Sequence, residues 1–162
     1  MLTLALDAAS QERFEAERQR WFPVERNVIP AHLTLFHTLP EDENTTALLR
    51  DVAAGQCCFA MTVRQVRSIG RGVAYFMESA DAVGLHRRLS ASFEECLSAQ
   101  DRQGFRPHVV VQNKASAEQV REALAVLQAA FGPWDVEGVG LDLWRYLGGP
   151  WQHLERFAFS AA

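Results

Sequence analysis

The apolar positions of the chain follow two periods, which together predict a protein of mixed helices and strands. Alternation at every second residue, typical of half-buried strands, is first seen at Leu2, Leu4 and Leu6. Apolar residues repeat at about every fourth position in four other stretches, which is typical of amphipathic helices. The predicted strands are residues 2–6, 30–39, 57–63, 73–77, 107–114, 135–147 and 152–159; the predicted helices are residues 8–21, 42–54, 80–98 and a last one that follows the capping-box pair Ser116 and Gln119.

The order of these elements repeats along the chain. Strand, helix, strand, helix and long strand occur once in residues 2–67 and again in residues 73–147. A two-fold arrangement of the two units would bring their equivalent strands together across a central groove. Gly138 and Gly140 predict a bulge in the long strand of the second unit.

Composition narrows the possible functions. The 162 residues fit one domain, and the 48% hydrophobic and 22% charged residues are ordinary for a globule. A net charge of −4 argues against electrostatic binding of long duplex nucleic acid. A local basic pocket is sufficient to bind a small anion or the end of a nucleic acid. Three cysteines form no disulfide or zinc pattern, and no signal-peptide or membrane-spanning pattern is present. We therefore expect a cytoplasmic protein, monomeric and without contact to a membrane.

A short motif occurs twice, once in each repeat. Residues 30–35 read PAHLTL and residues 106–111 read RPHVVV, so His32 and His108 each follow a proline at the start of an apolar strand. Proline fits the first position of a strand, because its missing N–H is not needed there. If the two strands lie side by side, the two imidazoles converge on one site.

The residue two positions after each histidine lies on the same face, because side chains alternate along a strand. In the first motif this residue is Thr34, whose hydroxyl can donate to a phosphate oxygen. In the second motif it is Val110, which has the shape of threonine without the hydroxyl. Two imidazoles near their ordinary pKa can act as base and acid in phosphodiester cleavage, so no metal is required.

These motifs, His32-Leu-Thr-Leu and His108-Val-Val-Val, resemble the paired His-x-Thr/Ser-x motifs of the two-histidine phosphoesterases. That superfamily includes the bacterial 2′-5′ RNA ligases and the cyclic nucleotide phosphodiesterases. The resemblance covers essentially the whole chain and implies one two-lobed α+β domain over residues 1–162, with antiparallel sheets lining a central cleft and helices outside. It implies hydrolysis of 2′,3′-cyclic phosphates, or cleavage and ligation of 2′-5′ bonds, on a small nucleotide or RNA terminus. Val110 departs from the pattern and puts the activity in question.

Four further residues are candidates for substrate contact. In a regular strand Gln112 and Lys114 share the face of the second histidine, and the alternative is a solvated strand end for each. Arg106 precedes the second motif and points at an anion or at solvent. Phe36 shares the face of the first histidine, and it could line the cleft or stack on a base.

Two other functions compete with the phosphoesterase interpretation. Two histidines could bind a metal, but the sequence has no His-Glu-x-x-His, no paired cysteine motif and no carboxylate cluster beside either motif. No phosphate-binding glycine loop is present either, so we expect neither a metal nor a cofactor. The second alternative is a nucleotide- or RNA-end-binding module that has lost efficient catalysis, which Val110 would favour.

Overall fold

The computed structural model describes residues 1–161, which form four α-helices, one short 3₁₀ helix at Val24–Arg26 and seven β-strands. The strands are β1 (Leu2–Leu6), β2 (Leu33–Phe36), β3 (Phe59–Ser68), β4 (Val73–Glu78), β5 (His108–Gln112), β6 (Trp134–Tyr146) and β7 (Trp151–Ala158); the helices are α1 (Ala8–Trp21), α2 (Glu43–Ala54), α3 (Ala80–Ser92) and α4 (Ala117–Ala129).

The seven strands form one antiparallel sheet in the order β1-β2-β5-β4-β3-β6-β7. Strand β1 also pairs with β6, so the first six strands close into a ring and β7 extends it beside β6. Four helices around a seven-stranded antiparallel sheet confirm the predicted α+β class.

The predicted repeat of element order is confirmed as well. The first unit is β1-α1-β2-α2-β3 and the second is β4-α3-β5-α4-β6. Exchanging the units leaves the order of strands in the ring unchanged, because β2 pairs with β5 and β3 pairs with β6. The ring therefore has a pseudo-two-fold axis that passes between the two histidine strands.

A polar cap precedes each helix, and the capping box predicted at Ser116 and Gln119 is confirmed. Asp7, Asp42, Ser79 and Ser116 each accept a hydrogen bond from the backbone N–H three residues later. The predicted end of α3 at residue 98 is wrong: the helix ends at Ser92, and the chain continues in turns that keep its apolar residues against the core.

Both histidine strands contain a shift of register at the same place in their units. Opposite β1, Thr34 pairs with Thr3, but Phe36 rather than Leu35 pairs with Leu2. Opposite β4, Val110 pairs with Ala74, but Gln112 rather than Val111 pairs with Val73; these two sets of pairs are equivalent. One extra residue in each strand reverses the faces of the residues that follow it.

The predicted bulge near the two glycines of β6 is also confirmed. Ala5 pairs with Gly140 and Leu6 pairs with Gly138, which leaves one residue of β6 unpaired. A Cβ on Gly140 would lie 2.6 Å from the carbonyl oxygen of Phe157, so the close approach of β7 requires glycine there.

One hydrophobic core joins the sheet to the helices. Helix α1 packs against β5, and the ring of Phe14 contacts those of Tyr75 in β4 and Trp134 in β6. Leu33 and Val109, the residues that follow the two histidines, are fully buried. Within residues 1–161, no helix combines the length and the apolar character needed to cross a membrane.

Candidate active site

The two histidine strands meet through one residue pair. Leu33 of β2 pairs with Val109 of β5, and both side chains point into the core. His32, just before β2, and His108, the first residue of β5, each come one position earlier in the chain and therefore lie on the opposite face of the sheet. In an antiparallel pair these positions are diagonal neighbours, whose Cα atoms are about 7–8 Å apart. The prediction of neighbouring strands is confirmed, and both imidazoles belong to one face.

Thr34 and Val110 complete a group of four on this face. The antiparallel register places Thr34 beside His108 and Val110 beside His32. All four side chains are partly exposed, whereas the residues between them in sequence are buried. The group has the pseudo-two-fold symmetry of the ring, except that a hydroxyl on one side corresponds to a methyl on the other.

The two imidazoles are oriented by matching hydrogen bonds. Nδ1 of His32 lies 2.7 Å from the carbonyl oxygen of Pro30, and Nδ1 of His108 lies 2.7 Å from that of Arg106. A carbonyl oxygen only accepts, so Nδ1 carries the proton in both rings. In the neutral form Nε2 then holds a lone pair, and in the protonated form it holds a proton. The backbone thus prepares each Nε2 to accept or donate a proton.

The electrostatic environment favours a neutral His32. Burial lowers its pKa from 6.5 to about 4, and the positive charges of Arg18, His37 and His108 act in the same direction. The hydrogen bond from Nδ1 to Pro30 opposes this change without reversing it. At neutral pH the imidazole of His32 is therefore a proton acceptor.

Helix α1 holds the chain just before His32. The side-chain amide of Gln11 donates to the carbonyl oxygen of Ala31 at 2.8 Å, and Glu15 accepts from the N–H of Ala31 at 2.7 Å. Arg18 donates to the carbonyl oxygen of Ile29 at 3.2 Å. Their spacing of four and three residues places all three side chains on one face of the helix.

Arg18 also reaches the second histidine strand. Its guanidinium donates to the carbonyl oxygen of Val110 at 2.8 Å and to Oδ1 of Asn27 at 2.7 Å, and it lies 3.8 Å from the centre of the Phe22 ring. Arg18 is 3% exposed, and burial lowers its pKa to about 10, so it stays charged at neutral pH. A single buried cation thus bonds to the backbone on both sides of the histidine pair.

His108 has an aromatic neighbour on β4. The ring of Phe76, which is directly opposite in the register, stacks on the imidazole with centres 5.2 Å apart. Cζ of Arg67 lies 3.8 Å from the centre of the same Phe76 ring. Arg106 lines the adjoining pocket together with Arg67.

The loop before the second motif is anchored to the end of β2. One oxygen of Asp101 accepts from both the backbone N–H and Nδ1 of His37, at 2.7 and 2.9 Å. The other accepts from the backbone N–H of Thr38 and the hydroxyl of Ser98. The buried carboxylate therefore connects the two histidine segments at the end of the site opposite to Arg18.

The face predicted for Phe36 is wrong. Because of the shifted register in β2, Phe36 points away from His32, and it is fully buried. Its ring stacks on that of His86 with centres 4.6 Å apart, and His86 stacks in turn on Phe105. Phe36 is a core residue and cannot contact a substrate on the histidine face.

The predicted face of Gln112 is wrong for the same reason, since the equivalent shift occurs in β5. Gln112 is 2% exposed, and its amide donates to the carbonyl oxygen of Gln119 in α4. Lys114 lies beyond the end of β5 with a φ of 56°, in a pocket that Trp21 and Phe22 also line. Neither side chain is brought to the histidine pair.

Across residues 1–161, no group of three or more histidine, cysteine, aspartate or glutamate side chains is placed to hold a metal ion.

Comparison with known proteins agrees with this geometry. Residues 6–150 match the sequence profile of the 2′-5′ RNA ligase superfamily. No curated protein matches the sequence. Among solved structures, TT0787 of Thermus thermophilus is 21% identical, with a TM-score of 0.69 over 98% of this chain and 96% of that one. LigT of E. coli, solved with 3′-AMP, is 19% identical, with a TM-score of 0.60 over 98% of this chain and 96% of that one.

A ring of antiparallel strands with a histidine pair at its pseudo-two-fold axis defines a two-histidine phosphoesterase fold. Because the family profile spans most of its length, the chain belongs to the 2′-5′ RNA ligase superfamily.

The bonds of Arg18 predict a specific loss of stability. Arg18→Met keeps a long side chain but leaves the carbonyl oxygens of Ile29 and Val110 without their donor. We expect the free energy of unfolding, measured by urea denaturation, to fall by about 1–3 kcal/mol. The control is Arg20→Met, an exposed position on the same helix, with an expected change within about 0.5 kcal/mol. Equal stability of the two variants would mean that Arg18 does not hold the strands.

The low pKa of His32 predicts how stability depends on pH. Between pH 6.5 and about 4 the unfolded chain protonates His32 while the folded chain does not, so the free energy of unfolding falls as the pH is lowered through this range. His32→Gln removes this contribution and should make the pH dependence shallower. NMR titration of the His32 ring gives the pKa directly. A measured pKa near 6.5 would contradict the prediction.

Proposed function

We propose that the protein is a metal-independent phosphoesterase that acts on 2′,3′-cyclic phosphates or 2′-5′ phosphodiester bonds. His32 is the general base, His108 is the general acid and Thr34 binds a phosphate oxygen. The supporting observation is the matched pair of imidazoles, each fixed through Nδ1 with Nε2 on the same face. Purely structural histidines have no need for this matched orientation.

The proposed reaction begins when the phosphate lies between the two Nε2 atoms. His32 takes a proton from the attacking water, whose oxygen forms a new bond to phosphorus. The bond from phosphorus to a ribose oxygen breaks, and His108 gives that oxygen its proton. In ligation, a 5′-hydroxyl takes the place of water and no nucleotide is consumed. The assignment of His32 as the base follows from its low pKa, which the negative charge of a bound phosphate would raise toward neutrality.

Small nucleotides or RNA termini are the proposed substrates, and the cytoplasm is the proposed location. LigT of E. coli has been crystallised with 3′-AMP, with phosphate, with ATP and with NADP+. The net charge of −4 gives no support to binding of long duplex nucleic acid. We further propose that residues 1–162 act as one two-lobed domain and as a monomer.

A binding module with weakened catalysis is the second candidate, favoured by one observation. Val110 occupies the position equivalent to Thr34, so half of the phosphate-binding group has no hydroxyl. A substrate panel distinguishes the two functions: 2′,3′-cyclic nucleotides, 2′-5′ dinucleotides and ADP-ribose cyclic phosphates, each with and without a chelator. Turnover that persists in the chelator supports the enzyme, and binding without turnover supports the module.

Removing either imidazole should abolish most of the activity. His32→Asn and His108→Asn each delete one proton-transfer group, and we expect kcat to fall by about 10²–10⁴-fold on a substrate that the parent cleaves. Thermal unfolding would verify that both variants remain folded.

His153→Asn is the matched control for this experiment. His153 bonds to Asp142 at 2.7 Å on the other side of the ring, far from the proposed proton transfer. It should keep the parent rate. Undiminished turnover in His32→Asn or His108→Asn would place the reaction elsewhere.

Val110→Thr should raise the activity, because it supplies the missing hydroxyl. A hydrogen bond to a charged group contributes about 1.5–3 kcal/mol, so kcat/KM should rise by roughly ten- to a hundredfold if the bond tightens in the transition state. The substitution nearly conserves volume, but a hydroxyl without a phosphate partner should lower stability slightly.

Val109→Thr tests whether this gain depends on the face. Val109 is fully buried on the other face of the same strand, so the variant should lose stability and gain no activity. An equal rate in Val110→Thr and the parent would show that position 110 does not contact the phosphate.

A further inference from the structure

A basic pocket adjoins the proposed active site. It has a volume of about 460 Å³ and lies where the ends of β3 and β4 meet the loop before β5. His108 forms one wall, so the pocket opens directly beside the proposed acid. Arg67, Phe76 and Arg106 also line it.

The charge of this pocket is unusual for the chain. Two arginines line it and no acidic residue does, although the protein carries a net charge of −4. Within residues 1–161, neither Arg67 nor Arg106 forms an ion pair, whereas Arg50, Arg64, Arg145 and Arg156 all do. Both guanidinium groups are therefore available to an anion.

Phe76 defines where this anion would lie relative to the reacting phosphate. Its ring contacts the imidazole of His108 and also the guanidinium of Arg67, and its strand lies between theirs in the sheet. Adjacent strands are about 4.8 Å apart, so β3, which carries Arg67, lies two strand spacings from β5, which carries His108. The distance suits a group joined to the reacting phosphate through one ribose.

We propose that Arg67 and Arg106 bind a second phosphate of the substrate, one nucleoside away from the phosphate that reacts between His32 and His108. This inference rests on the proposed function and narrows its substrate class. The preferred substrates then carry a phosphate on both sides of a ribose, as a 5′-phosphorylated nucleotide or the end of an RNA chain does. Phe76, which lies between His108 and Arg67, contacts the ribose or base that joins the two phosphates.

The test compares binding of two product analogues, so it does not depend on turnover. At fixed ionic strength, calorimetry would measure adenosine 2′-monophosphate against adenosine 2′,5′-bisphosphate. We expect the bisphosphate to bind about tenfold tighter or more, as one charge-assisted hydrogen bond predicts. Arg67→Gln and Arg106→Gln should each reduce this ratio toward one. A dinucleotide with a 2′-phosphate end shows whether an internal phosphodiester serves as well as a free 5′-phosphate, and either source supports the proposal.

Arg64→Gln is the matched control, because Arg64 is on the same strand but pairs with Glu78 and does not line the pocket. It should keep the parent preference. Equal binding of the two analogues by the parent, or a preference that survives both pocket variants in folded protein, would overturn the proposal.

The outcomes separate this proposal from the proposed function. Preference for the bisphosphate without cleavage of any cyclic phosphate supports the pocket and contradicts the enzyme. Cleavage without the preference supports the enzyme and contradicts the pocket. Failure of both analogues to bind contradicts both.

Discussion

The histidine pair depends on a narrow contact between two strands. β2 and β5 are joined by the single pair Leu33–Val109, which lies at the pseudo-two-fold axis of the ring. Because only one residue pair joins the strands, nearby backbone groups have no partner in the sheet. A buried carbonyl oxygen without a donor lowers the stability of the fold. Arg18 supplies a donor to the carbonyl oxygen of Ile29, in the loop before β2, and to that of Val110 in β5. The separation of the two imidazoles is therefore set by a helix side chain as much as by the sheet.

Element order and the doubled motif could be predicted because each rests on local signals. Proline before each histidine, polar caps before each helix and alternating apolar residues all act over a few positions. The faces of Phe36 and Gln112 could not be predicted, since each depends on one extra residue opposite a neighbouring strand. Neither Leu35 nor Val111 looks unusual in sequence, because a bulge of this kind needs no glycine. That both predictions fail at equivalent positions is itself a consequence of the repeat.

The polar residues of α1 that hold the histidine segments could not be predicted either, for a different reason. Gln11, Glu15 and Arg18 lie on one face of α1, but polar residues at helical spacing ordinarily indicate a solvated surface. Their partners are backbone atoms of a distant segment, which carry no sequence signal. That Arg18 is buried cannot be inferred from the sequence, because its burial depends on the strand that packs against α1. Similarly, Arg67 gains a role only because β3 and β5 lie on either side of Phe76.

The same support favours binding of an anion in the proposed function. Burial and the nearby positive charges of Arg18 and His37 disfavour a proton on His32. In the proposed reaction a bound phosphate would add the negative charge that this environment lacks, and it would stabilise the protonated imidazole that forms when His32 takes a proton from water. Because linkage is reciprocal, the phosphate should bind more tightly when His32 is protonated. In this proposal, the environment that keeps His32 neutral in the free protein also makes its protonation sensitive to a bound phosphate, so the imidazole would gain its proton when the phosphate is in place.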